Sequence, residues 1–216
     1  VTTTLMTDAG PVAPDAPVTR TGGIPLAPAG TEWPHCAECT GPMQFLAQFF
    51  LEDGPGAIAV FMCQNQPGLC QAWDPVAGGN RALLFPSEGL VPVPLPGPDG
   101  EGTDADAADG WSVLGLGAVR AVARAAAPEP DYFDACAAWA ARTGRATAEV
   151  LGQLGGTPYW LQNDETPDCP GCAQPMAFTA QLDEGPDPVT AMNFGSGSAY
   201  LHACGPCGRA AFGWQC

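Results

Sequence analysis

Eight of the ten cysteines fall into two quartets whose spacing suits one kind of chemistry. The first reads Cys36-x2-Cys39-x23-Cys63-x6-Cys70, and the second reads Cys169-x2-Cys172-x31-Cys204-x2-Cys207. The short Cys-x-x-Cys spacing lets one tight turn aim both sulfurs at a point, and a hairpin of the intervening length returns the second pair to it. Four thiolates then complete the tetrahedral shell of Zn²⁺. Turn formers flank the ligands in Cys169-Pro-Gly-Cys172, in Cys204-Gly-Pro-Cys207-Gly208 and in Asn65-Gln-Pro-Gly68. The expectation is two Zn²⁺ per chain, in shells with no open corner for a catalytic water.

Other readings of the same sulfurs stay open. Each Cys-x-x-Cys can close a disulfide, and an iron–sulfur cluster also takes four thiolates. A thioredoxin-like pair needs a strand-to-helix setting, whereas strands follow these pairs. His35 and His202 lie close to ligand cysteines and can substitute for one. Cys136 reads as a small buried hydrophobe, and nothing positive near Cys216 would activate its thiol.

The elements that must position these sulfurs occur twice. Laid on itself so that Gly22 meets Gly155, the sequence matches Gly22–Gln48 to Gly155–Gln181 without gaps at 12 of 27 positions. The identities include Cys36/Cys169, Cys39/Cys172, Phe45/Phe178 and Gln48/Gln181. Each copy runs from a Gly-Gly-x-Pro turn through a Cys-x-x-Cys to an apolar strand, Met43–Leu51 or Met176–Leu182. An acidic turn follows (52–56; 183–188), then return strands: Ala57–Cys63 in copy one, Val189–Phe194 and Ala199–Cys204 in copy two. Each copy closes on an Arg-led strand, Arg81–Phe85 or Arg209–Trp214. Short apolar runs between turn residues predict strands. Gln48 and Gln181, inside such runs, are expected to satisfy backbone groups.

The remaining segments complete a plan of five parts. Residues 1–20 are expected to be loose, and 21–85 form the first β/zinc repeat. Residues 86–110 carry six acids, no base and much Pro and Gly, and read as a linker or surface loop. Residues 111–154 read as helical: an Ala-rich stretch from Trp111 to Ala127, a helix from Asp131 (cap) to Gly144 (stop) with Cys136, Trp139, Ala140 and Thr143 on one face, and a short helix Ala148–Leu154. Residues 155–216 form the second repeat. The predicted fold is α+β and β-rich, with two pseudo-symmetric lobes from a duplicated β-hairpin, zinc-ribbon-like unit and helices before the second copy.

Charge narrows the function. Seven Arg, no Lys and 23 acids give a net charge of −16 and an isoelectric point near 4.1. Duplex or anionic-membrane binding needs a cationic face, so neither direct nucleic-acid binding nor membrane binding is expected. A basic protein partner fits. No secretory signal and no apolar span is visible, which predicts a cytoplasmic location, where paired cysteines bind metal more often than they cross-link.

Catalytic constellations are missing from the pattern. The two His both lie near cysteines, and without Lys there is no phosphate-binding or nucleophilic lysine. Leu114-Gly-Leu-Gly117 lacks the third Gly of a dinucleotide fingerprint. The repeated acids Glu32 and Glu165 read as turn residues. The chain is therefore expected not to be an enzyme, a site in a cleft between the lobes being the weaker option.

Gly22-Gly-Ile-Pro25, Trp33-Pro34 and Pro42–Gln48 resemble the YwqG-like family. So do Leu154–Gln162, Phe178-Thr-Ala-Gln181-Leu, the Gly-rich Gly195–Tyr200 and the closing Trp214-Gln-Cys216. The Cys-x-x-Cys before Met-x-Phe-x-x-Gln is similar to the zinc-bearing programmed cell death protein two family. The resemblance implies a two-lobed β-rich fold without known catalysis. It also implies a role as dedicated chaperone of a basic ribosomal protein or as immunity protein in a toxin system. The expectation is a zinc-binding, non-enzymatic protein-interaction module; the alternative is a thiol or zinc redox sensor using the Cys pairs.

Overall fold

Runs rich in Val, Ile, Phe and Ala between Gly and Pro turns make strands, and strands are the main regular element among the described residues. The computed structural model describes residues 3–51, 56–66, 68–96, 114–185, 187 and 192–216. Among these, twelve strands accompany one α-helix and two short 3-10 turns. The strands are β1 Thr3–Pro11, β2 Arg20–Thr21, β3 Leu26–Pro28, β4 Gln44–Phe50, β5 Ala57–Met62, β6 Asn80–Phe85, β7 Leu90–Pro92, β8 Arg120–Ala127, β9 Val150–Leu154, β10 Ala177–Asp183, β11 Ser198–Cys204 and β12 Arg209–Gln215.

Ten of them form a single antiparallel sheet in the order β12-β11-β10-β9-β1-β8-β2-β4-β5-β6, and β3 and β7 pair apart. The edge strands β6 and β12 lie against each other, and the Trp214 N–H donates to the Trp73 carbonyl beside them. The sheet therefore curls almost closed, which shelters both edges.

This corrects the two-lobed α+β expectation. The two repeats supply the two halves of one sheet, and their inner faces share one core: Leu46, Phe49, Ile58 and Val60 pack with Leu182, Phe194, Leu201 and Phe212. Separate lobes would leave each half of the sheet with an exposed apolar face. The halves are joined at the centre by β1 and β8, paired from Thr3↔Ala127 to Pro11↔Arg120.

Three further expectations are overturned at that centre. Residues 3–11 are no loose tail: β-branched Thr residues flank Leu5 and Met6, which are buried between β8 and β9. Of the Ala-rich stretch from Trp111 to Ala127, Arg120–Ala127 is strand β8, because its backbone hydrogen-bonds to β1 on one side and β2 on the other; residues 111–113 lie outside the described residues. Likewise Val150–Leu154 is β9, preceded by a 3-10 turn at Thr147–Glu149. Residues 111–154 thus hold one α-helix among the described residues, α1 (Tyr132–Thr143). Asp131 caps it by accepting from the Asp134 N–H, and Gly144 ends it at φ 71°. Its buried face is Tyr132, Ala135, Cys136 and Trp139, packed on Leu5, Ala127 and Val150; Thr143 is exposed.

Within the stretch read as a linker, Leu90–Pro92 is β7. Residues 97–110, the turn at 52–55 and the start of the strand expected at Val189–Phe194 lie outside the described residues; Met192–Phe194 is not a strand. Among the described residues no helix is long and apolar enough to cross a membrane.

Candidate metal centres

The two repeats build their Cys-x-x-Cys turns with the same bonds. The Cys36 N–H donates to Gly41 O (2.9 Å) and the Cys169 N–H to Gln174 O (2.8 Å). Met43 N–H reaches Pro34 O and Met176 N–H reaches Pro167 O, both at 2.9 Å. The residue after the second cysteine turns left-handed in each copy: Thr40 at φ 59°, Ala173 at φ 53°. The bridges His35↔Pro42 and Asp168↔Pro175 tie the base of each turn.

The second pair of each quartet comes from the return strand. Cys63 follows β5, held by its N–H on Gly79 O (2.8 Å), and Cys70 sits in the loop that Asn80 anchors through Ala72 O and Asp74 O. Cys204 ends β11, and the Gly205–Cys207 turn carries Cys207, closed by Gly208 at φ 60°. The strand registers agree, with Gln48↔Ala59 in one half and Gln181↔Tyr200 in the other.

The sulfurs converge as the spacing predicts. Cys36, Cys39, Cys63 and Cys70 have all their Sγ atoms within 4.8 Å of one another, as do Cys169, Cys172, Cys204 and Cys207. Cys39 and Cys63 Sγ are 3.6 Å apart, and Cys172 and Cys204 Sγ 3.8 Å. A tetrahedral ion with bonds of about 2.3 Å requires sulfurs about 3.8 Å apart. All ten cysteines are free thiols. Two four-cysteine groups thus stand at distances that suit two metal ions.

The surroundings also fit. The Asn65 amide donates toward Cys39 Sγ (3.5 Å) and Cys63 Sγ (3.4 Å), and the Gly171 N–H toward Cys169 Sγ (3.4 Å). Such donors disperse thiolate charge and orient the ligand. The Gly171 N–H, assisted by that of Cys172, brings the Cys169 thiol down to about 7. Burial alone would raise Cys39, but the Gly41 N–H and the Asn65 amide carry it below the ordinary thiol value. Burial pushes Cys63 up to about 12 and Cys70 upward too, with neighbouring sulfurs adding to the rise. The adjoining sulfurs of Cys172, Cys204 and Cys169 push Cys207 up to about 12. Four thiols this close resist ionising together, and a divalent cation removes that resistance.

The two centres differ in exposure. Cys36, Cys63 and Cys70 are buried with Met43, Phe45 and Phe61. In the second quartet Cys169 is buried, Cys204 and Cys207 are half-buried and Cys172 is exposed.

Neither histidine joins a quartet. His35 is exposed, with Nδ1 on Trp33 O, while His202 is buried against Trp160 and Phe178 and burial pulls it down to about 4. Gln48 and Gln181 do satisfy backbone: their Oε1 atoms accept the Leu26 and Tyr159 N–H groups. Sequence reasoning missed Asn65 as a sulfur donor; its place two residues after Cys63 was the available signal. It also missed a recess beside the second centre, lined by Trp160, Glu165, Tyr200 and His202.

No family model matches the chain. A stretch of 66 residues, 31% of this chain, is 38% identical to the uncharacterized protein YpfL of Salmonella typhimurium, of which it covers 15%.

Proposed function

We infer that the chain is a protein-interaction module that carries two structural Zn²⁺ ions, runs no reaction of its own and holds a basic protein. The observation that carries this reading is the pair of four-sulfur shells, each complete without water. Zinc suits a closed all-thiolate tetrahedron, and ligation there is folding free energy. Each zinc tetrathiolate is formally −2, which takes the net charge from −16 to about −20 and favours a cationic partner. The resemblance to the programmed cell death protein two and YwqG-like families points the same way, toward a dedicated chaperone or an immunity-type binder.

The test is affinity capture on zinc-loaded protein beside a metal-stripped control. A basic protein retained in stoichiometric amount, released by salt and lost on stripping, is the expected result. No salt-sensitive basic protein on the loaded matrix overturns the reading.

The exposure of Cys172 favours a second reading, a thiol or zinc redox sensor. Under mild peroxide a sensor releases metal and forms disulfides reversibly, while a structural centre keeps its metal or unfolds.

A further inference from the structure

The two halves of the sheet carry the same recess in different chemistry. In the first half it is walled by Trp33, Phe61 and Leu83, with the Trp33 and Phe61 rings edge to face at 5.5 Å. In the second half the register puts His202 at the position of Phe61 and Gly213 at that of Leu83. Thr166 replaces Trp33, and an indole enters instead from Trp160, at the place that Ala27 holds in the first repeat. Trp160 stacks at 10° on the His202 ring (centroids 5.9 Å apart) and lies 4.3 Å from the Tyr200 ring. Pro75, from the loop that follows Cys70, completes the wall beside Gly213.

His202 is only 2% exposed, yet its Nε2 has no hydrogen-bond partner among the described residues. That is an acceptor or donor held out of water, which a fold retains only at a cost unless something answers it. Exposed Glu165 lines the same recess. Aromatic faces, a carboxylate and an imidazole nitrogen together recognise a cation. The recess takes little more than a water-sized group, which fits an ammonium better than a planar guanidinium.

We propose that the recess between Trp160, Tyr200, His202 and Glu165 seats the side-chain ammonium of a lysine of the basic partner. This rests on the basic-partner reading and gives it an anchor point. The chain has no lysine of its own to compete for the seat. Pro75 comes from the first repeat and the other walls from the second, so both repeats contribute to the recess.

The test is an NMR titration of the zinc-loaded full chain with a Gly/Ser peptide bearing one central lysine, beside peptides with norleucine or arginine there. Saturable shifts at the Trp160 indole and the Tyr200 ring are expected with lysine and absent with norleucine. Glu165→Gln, an exposed substitution checked by unchanged metal content and thermal midpoint, should weaken binding about fivefold. No shift, or equal shifts with norleucine, overturns the proposal, and the recess then holds solvent alone. Arginine binding as tightly overturns the assignment to ammonium. Protein capture separates the two readings. A basic protein held equally by wild type and Glu165→Gln, without peptide shifts, sinks the lysine seat and spares the partner. Peptide shifts without any captured protein do the reverse.

Discussion

The Sγ atoms of Cys39 and Cys63 stand 3.6 Å apart, and the Asn65 amide nitrogen lies within 3.5 Å of both. One side chain thus serves ligands from the Cys-x-x-Cys turn and from the end of β5. Replacing it by Asn65→Leu removes that donor and leaves both thiols in place. The expected result is first-centre metal lost about 10- to 100-fold more readily to a chelator, with the second centre unchanged. Metal release followed with a colorimetric chelator checks it; equal release from wild type and variant would show that the amide plays no part.

Exposure separates the two centres kinetically. Cys172 is exposed, whereas three ligands of the first quartet are buried among Phe45, Phe61 and Met43. A thiol-alkylating reagent with chelator should therefore modify Cys172, Cys204 and Cys207 well before Cys63 and Cys70. Timed mass spectrometry of the alkylated peptides reads the order.

The same contrast sets the outcome of ligand loss. A structural zinc contributes of order ~10 kcal/mol, comparable to the whole stability of a domain, about 5–15 kcal/mol. Cys63→Ser, inside the core, should fail to fold. Cys172→Ser should retain one metal per chain and melt at lower temperature. Elemental analysis with thermal melting distinguishes the cases.

How much of this was legible in the sequence depends on whether the cause is local. The quartets, the repeat and the caps of α1 at Asp131 and Gly144 follow from spacing and turn chemistry within a few residues. The position of Leu5 and Met6 does not: their strand is central only because β8 and β9, far along the chain, pair with it. The alanines of β8 favour a helix by propensity, and tertiary packing between β1 and β2 overrides it. Closure of the sheet through Trp73 and Trp214 joins loop and strand from opposite halves, which no local pattern records.

Gly22 and Gly155 begin the two repeats in the same left-handed conformation, φ 60° and 57°, but in different surroundings. A Cβ on Gly155 meets nothing within 4 Å, while one on Gly22 would lie 2.5 Å from Leu116 O. Gly155→Ala should cost about 1–2 kcal/mol, the backbone strain alone. Gly22→Ala should cost at least about 3 kcal/mol, since a backbone carbonyl must move. Urea denaturation of both variants measures the difference.

Acid should release one tie at the centre of the sheet. Burial raises Asp8, but bonds from the Arg120 guanidinium and the Gly10 N–H, with the charges of Arg120 and Arg145, hold it below the ordinary carboxylate value. A carboxyl with a lowered folded value stabilises above its unfolded value of about 3.9, and that contribution fades as pH falls through the folded one. Asp8→Asn should therefore lower the urea midpoint of the zinc-loaded chain at about pH 7, and the difference should persist down to about pH 5, above the range in which the carboxyl takes up its proton and acid strips metal from thiolates. Equal midpoints for wild type and variant across that range contradict the assignment.

The most direct measurement is the metal content of the full chain purified without chelators, by elemental analysis alongside native mass spectrometry. The account predicts two zinc ions per chain and eight cysteines protected from alkylation until the metal is removed. Metal-free protein that is folded, or sulfurs joined as disulfides within the quartets, would contradict it.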